Sequence, residues 1–287
     1  MKILFYICVD IINDAMESFI EKFGHLSKPQ LLGWIFFCLT LAWIIESGIP
    51  LIKFTYNKWR HDGINLIFLS TTLIINGIFG ALTAFIFIWM EQHEFGFLHL
   101  VDLPFWLELL LAVMILDLIA QYWVHYLLHK VKWMWKLHLV HHSDTHVDAT
   151  TGTRHHPGDY FVREVFGLFA VVVAGIPFAY FIFYKVVTVL FTYITHANFK
   201  TPVWVDHTLG YIFITPNMHK FHHHFERPWT DTNFGNIFSI WDRMFGTLVL
   251  DDTSKIRYGV DVLADSKSND LMYQMKVPFD SSVKTDY

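Results

Sequence analysis

The chain has 287 residues, of which 54% are apolar, 18% aromatic and only 16% charged. A charged share well below the ~25% of ordinary globular proteins argues against a typical soluble domain. The formal charge of −5 comes with no basic tract, which argues against a nucleic-acid partner.

Taken in chain order, residues 1–30 form a separate N-terminal segment. Its opening stretch MKILFYICVDII is broken by Asp10 and has no small-residue cleavage site after it. That leaves a leader-like stretch and an interfacial helix over 3–23 both open. Cys8 and Cys38 lie among apolar residues and read as small hydrophobes rather than a disulfide. Three spans follow, at about 31–52, 64–90 and 104–124, each near the ~20 residues that a bilayer demands. Glu46 falls in the first, and Glu108 and Asp117 in the third, while the second is uncharged. Lys53, Lys58 and Arg60 lie between spans one and two, and Lys130, Lys132, Lys136 and Arg154 lie after span three; the intervening connection has neither Lys nor Arg. The positive-inside bias therefore places His125 to Pro157 in the cytoplasm. Lys2, Lys22 and Lys28 leave the side of the N-terminus open.

The apolar block at about 160–195 is broken by Gly175-Ile176-Pro177. Two helices, 160–174 and 177–195, would enter and return, with Gly175 and Pro177 at the tip. Residues 125–159 and 196–250 then form a cytoplasmic cap, and 251–287 a polar tail. The fold class is all-α: an integral membrane helical bundle with a cytoplasmic histidine-rich cap, residues 31–250 being one membrane-embedded domain.

Fourteen of the 18 histidines fall between His125 and His224. His125 and His129 are four apart, which on a helix puts both rings on one face. His138, His141 and His142 share a face through i, i+3 and i+4 spacing, and His219, His222 and His223 repeat it. These are too many for one ion with an open position, but they suit two. His196, at the end of the proposed hairpin, is a further candidate, weighed evenly against a helix-end histidine bonded to backbone. Imidazole suits iron, zinc and copper. Zinc would imply hydrolysis, whereas a site fed from apolar helices suits the C–H bonds of a lipid chain and hence iron. Asn198, Asp206, Asp231 and Asp242 are candidates to fix ring tautomers, each weighed against an ordinary cap or turn role. His156 is weighed like His196. Trp135, Trp204, Trp229 and Trp241 are expected to seat the cap at the membrane interface.

The three histidine groups, in this order and spacing, resemble the fatty acid hydroxylase/sterol desaturase superfamily. The resemblance extends to Asp117, to Trp135–Ser143, to Thr151–Pro157, to His196-Ala-Asn198, to Thr215–His223, to Asn233-Phe-Gly235 and to Trp241–Thr247, covering about residues 104–250. It implies a non-haem di-iron centre held by His125, His129, His138, His141, His142, His219, His222 and His223, with His196 as a further ligand. It also implies a cytoplasm-facing site, O2 as co-substrate and electrons from a separate donor protein. Tyr126, and Gly158-Asp159 after His156-Pro157, depart from the family pattern. No dinucleotide, haem-attachment or iron–sulfur motif appears, in keeping with an external electron donor. The expected activity is hydroxylation of a membrane lipid, fatty acyl, sterol-like or ether-linked, with desaturation on the same scaffold as the rival. A histidine-rich metal transporter using Glu46, Glu108 and Asp117 is a third reading. His25→Ala and His61→Ala are expected to leave metal and activity intact.

Overall fold

The computed structural model describes residues 2–253 and 256–285, with side chains from residue 13 onward; the side chain of Cys8 lies outside these. The fold is a helical bundle, and among the described residues the extended pairings are two isolated bridges, Pro50 with Phe199 and Phe213 with Phe238. The long helices are α1 (Lys2–Gly24), α2 (Lys28–Gly48), α3 (Lys58–His93), α4 (Phe105–Asp117), α7 (Pro157–Ala174) and α8 (Phe178–His196). Between α4 and α7 come a π-helical turn (Leu118–Trp123), α5 (Val124–Lys130) and α6 (Lys132–His142). The cap adds four short helices: α9 (Val203–Asp206), α10 (Pro216–His222), α11 (Ile240–Phe245) and α12 (Leu271–Lys276).

Four helical stretches are long and apolar enough to cross a membrane: Lys28–Gly48, Lys58–Leu100, Phe105–Lys130 and Phe178–His196. Their outward faces carry large exposed apolar side chains, such as Ile74, Ile78 and Phe85 on α3 and Phe36 and Phe37 on α2. Water would penalise such a surface and lipid does not; the chain is a helical membrane protein. α3 has 36 residues, or ~54 Å at 1.5 Å per residue, well beyond a ~30 Å hydrocarbon layer. Its first turns therefore stand under the cap, and there Lys58, His61, Asp62 and Asn65 share one face.

The chain reverses at Gly175, whose φ of +70° closes α7 in the left-handed region that glycine adopts without penalty. A Cβ there would meet the Phe95 carbonyl oxygen at 2.7 Å, because the loop through Gly96 crosses backbone to backbone. α7 and α8 thus run out and back, returning His196 to the level of His125. α2, α5 and α8 end, and α3 and α7 begin, at this same end of the bundle. On α1, Ile20 is buried and Phe23 packs edge-on against Phe183 of α8, ring centroids 5.1 Å apart.

The segment beyond residue 250, expected as a polar tail, instead folds back onto the cap. Val260, Leu263, Val277 and Val283 bury against Trp135 and Leu139, and the Ser143 hydroxyl donates to Gln274 Oε1 at 3.0 Å. Arg154, fully buried, donates to the Val140 carbonyl, Asn65 Oδ1, Ser143 Oγ and the Ser268 carbonyl. That one side chain joins α3, α6 and the C-terminal segment. The tryptophans differ from expectation as well. Trp135 and Trp241 are core residues, whereas Trp204 is 62% exposed. Trp241 is drawn inward because its indole N–H donates to Asp117 Oδ2 at 3.0 Å.

Candidate metal centre

Nine buried histidines converge where α5, α6, α8 and α10 meet. They divide into two groups whose donor atoms lie within 4.8 Å of one another: His125, His129, His138, His142 and His222 in the first, and His141, His196, His219 and His223 in the second. The division follows from helix geometry. On α6, His138 and His142 stand four apart and face the first group, while His141 turns to the second. On α10 and the His223 that caps it the order is reversed: His219 and His223 face the second group and His222 the first. Each His-x-x-His-His motif therefore contributes to both groups, which adjoin through the stacked rings of His142 and His223, centroids 4.6 Å apart.

Six of the rings are held from behind. His125 Nδ1 donates to the Phe234 carbonyl (2.8 Å), His222 Nδ1 to that of Thr232 (2.6 Å), His196 Nδ1 to that of Thr192 (2.7 Å) and His141 Nδ1 to that of Arg154 (3.3 Å). His138 Nδ1 meets Asp159 Oδ2 at 2.9 Å and His129 Nδ1 meets Asp231 Oδ1 at 3.2 Å. A carbonyl accepts only from a protonated nitrogen, so these contacts place the hydrogen outward and the Nε2 lone pair inward. Inward, His125 Nε2 faces His138 Nε2 at 3.0 Å and His141 Nε2 faces His196 Nε2 at 3.2 Å, lone pair against lone pair. Nε2 of His129 and of His222, and both ring nitrogens of His142 and His223, are buried with no partner. An unsatisfied buried polar atom costs ~1–3 kcal/mol, so this cluster is unfavourable unless cations occupy its centre. The residues fit metal ions.

Electrostatics agree. Burial, then the neighbouring rings, hold His141 and His142 well below the usual imidazole range. His219, His222 and His223 are lowered in the same way. His138 is pushed down to about 3 by burial, against the pull of Asp159. All are neutral at physiological pH, the state that ligates metal.

The remaining expected residues divide. Asp231 reaches a ring directly, and its carboxyl lies below the ordinary range because, despite burial, His129 and Lys130 flank it. Asp242 acts at one remove: it accepts from the Phe234 and Gly235 amides (2.8 and 2.9 Å) and so fixes the carbonyl that holds His125. Asn198 latches the α2–α3 loop through Ile52, Asp206 braces Thr215 and Asn217, and His156 caps α7 by accepting from the Gly158 amide. None of these three has a hydrogen bond to the clustered rings among the described residues. Asp159, set down as a departure from the family pattern, is the buried carboxylate behind His138; it also meets His155 Nδ1 (3.0 Å) and Arg163 Nε (2.9 Å).

His61 is fully buried and belongs to neither histidine group. Its Nε2 contacts both Asp144 oxygens at 2.9 Å, and its Nδ1 lies 3.1 Å from Asp62 and 3.3 Å from Asp148. Carboxylates on both ring nitrogens call for an imidazolium, so His61 is itself the cation of this polar knot, with Lys58 beside it. Two of the three acids of the transporter reading, Glu46 and Asp117, are also occupied. Glu46 accepts from the Ala149 and Asn198 amides and from Lys58, and Asp117 from the Ile237 and Phe238 amides and Trp241. Both are structural acceptors rather than steps along a conduit.

Residues 109–247, which contain all nine clustered histidines, match the family model described as fatty acid hydroxylase. Alkylglycerol monooxygenase of Danio rerio is 27% identical over 84% of this chain and 51% of its own length. Ornithine lipid hydroxylase OlsE of Rhizobium tropici is 30% identical over 44% of this chain and 37% of its own. Alkylglycerol monooxygenase of Homo sapiens is 30% identical over 62% of this chain and 38% of its own. The chain spans about half or less of the length of these relatives. No solved structure matches it.

Proposed function

We propose, from its similarity to the fatty acid hydroxylase family over residues 109–247, that this chain is an O2-dependent di-iron oxidase hydroxylating an unactivated C–H bond of a membrane lipid. The observation that carries the reading is the pair of adjoining, fully buried imidazole groups with inward lone pairs. His125, His129, His138, His142 and His222 would hold one iron, and His141, His196, His219 and His223 the other. The bound metal would supply the activation of O2. The chain's own part is to fix geometry and exclude water: backbone carbonyls, Asp159 and Asp231 lock the ring tautomers, and Trp135 covers His129 and His142 with ring centroids 4.8 and 5.4 Å away.

The substrate class follows from placement. The rings sit where apolar helices end, so an acyl or alkyl chain would approach them from the bilayer side while its polar head stays at the interface. The names of the relatives, an alkylglycerol monooxygenase and an ornithine lipid hydroxylase, point to a lipid with a polar head. Residues 31–250 form the oxidase unit, the metal centre faces the cytoplasm in accordance with the Lys/Arg bias, and electrons come from a separate donor protein.

The test is expression in a host of known lipid composition, with mass spectrometry of extracted lipids. Products one oxygen heavier support hydroxylation; products two hydrogens lighter identify a desaturase. An unchanged lipid profile from metal-loaded protein supplied with reductant and O2 counts against both.

A further inference from the structure

Away from the histidine groups, a cavity of about 620 Å³ opens on the cap side of the bundle. Its walls come from the α2–α3 loop, Arg60 in the first turn of α3, the loop after α6, Asn198 and the segment 256–269. The volume falls in the ~300–1,000 Å³ range of small-ligand sites. Its charge is one-sided. Lys53, Arg60 and Arg257 line it against a single carboxylate, Asp265. Lys53 and Arg60 have no carboxylate partner among the described residues. Arg257 meets Asp265 only at 3.5 Å, with both side chains more than half exposed. On a chain of net charge −5, three converging cations are a local inversion.

The acids nearest the wall have cations of their own on the far side from the cavity. Tyr56 and His146 form that wall, ring centroids 4.2 Å apart. Tyr56 Oη donates to Asp148 at 2.6 Å, while Lys58 and His61 hold Asp148 and His61 holds Asp144. Tyr258, only 6% exposed, contributes ring surface to the cavity wall. Converging cations beside aromatic and polar wall residues make a site for an anion with several acceptor oxygens. The volume leaves room for more than the anion alone.

We propose that this cavity binds a phosphate group carried on a larger molecule, at a site separate from the metal centre. The loop that supplies Lys53 joins the cap-side ends of two spans, and Trp59 beside Arg60 is 82% exposed, as suits an aromatic side chain at a membrane surface. A phospholipid headgroup and a soluble phosphate compound share the required chemistry.

The experiment uses the purified full chain in nanodiscs of phosphatidylcholine. Its melting temperature is followed on titration with inorganic phosphate and, separately, on inclusion of phosphatidic acid. Binding to the folded state raises the melting temperature by mass action. Stabilisation by at least one probe is expected in the natural chain, and it is expected to need at least tenfold more ligand in Lys53→Ala/Arg60→Ala, which loses two charge-assisted contacts. Lys53→Arg and the remote control Lys267→Ala are expected to respond like the natural chain. A response to phosphate alone assigns a soluble ligand, and a response to phosphatidic acid alone a lipid headgroup. No response from the natural chain to either probe, or equal responses from it and the double variant, overturns the proposal. Metal content is measured in parallel and is expected to be unchanged. If the double variant loses metal it has misfolded, and Arg257→Ala takes its place under the same criteria.

Discussion

Replacing Asp159 by Asn changes little in volume and removes one charge from behind the metal centre. The carboxylate is fully buried and meets three partners: His138 Nδ1 at 2.9 Å, His155 Nδ1 at 3.0 Å and Arg163 Nε at 2.9 Å. An amide oxygen can still accept from one of them, but a neutral acceptor is about half as strong as a charged one. Loss of such a partner behind a ligating histidine typically costs about 10–100-fold in metal affinity, or ~1.4–2.7 kcal/mol. Arg163, only 11% exposed at its side chain, loses its ion pair as well; breaking a buried pair costs on the order of 3–5 kcal/mol. Arg163 Nη1 also lies 3.5 Å from Gln121 Oε1, so about 3 kcal/mol of the folding stability is the expected loss. The assay is a chelator competition read by bound iron per chain, alongside thermal unfolding of metal-free protein. Arg163→Gln is the control that lowers stability while leaving the His138–Asp159 contact in place. Iron affinity of Asp159→Asn within about twofold of the natural chain, under conditions where His141→Ala loses its iron, would refute the tautomer argument.

His141→Ala and His222→Ala take one donor from each group and are expected to abolish lipid oxidation and lower bound metal, as measured by elemental analysis. His61→Ala leaves Asp62, Asp144 and Asp148 buried without their shared imidazolium. The expected loss is about 3–5 kcal/mol of stability, seen as a lower melting temperature, while metal bound per folded chain is preserved. Asp242, which burial pushes up to about 6 against three hydrogen bonds that favour its charged form, predicts a pH effect. Its folded form keeps a proton that the unfolded chain releases near pH 4, so its contribution to stability falls as pH rises from about 4 to 6, by up to ~3 kcal/mol. The buried histidines push the other way in metal-free protein but are common to the natural chain and Asp242→Asn, so the stability of the natural chain relative to Asp242→Asn should fall over this range in melting curves of the two.

The histidines were legible in the sequence because i, i+3, i+4 spacing is local and an α-helix converts it directly into a shared face. The hairpin at Gly175 was legible for a related reason: convergence of His138 and His222 requires an even number of crossings, and Gly and Pro mark where the chain can turn. What lay behind the rings was not legible. The carbonyls of Phe234, Thr232, Thr192 and Arg154 carry no side-chain signature, so a role for the backbone at those positions cannot be read from residue types. Asp159 sits 21 residues from His138, and only the docking of α7 on α6 brings them together. Its spacing from His155, four residues at a helix start, was the available hint. His61 was set aside because it stands alone in the sequence; the three acids that enclose it come from α3 itself and from the 144–148 loop. The C-terminal segment lacks periodicity because it packs as short turns against Trp135 and Leu139.

The π-helical turn at Leu118–Trp123 lies between Asp117, which anchors the 237–241 segment, and His125, which begins the first histidine motif. Wider turns of this kind arise from a one-residue insertion into an α-helix, and each residue of a regular helix rotates the next by ~100°. Excising a single residue here would therefore yield a more regular rod whose two ends no longer point to their partners. The irregular stretch acts as a rotational offset, setting the anchor and the ligand on their separate bearings along one continuous strut.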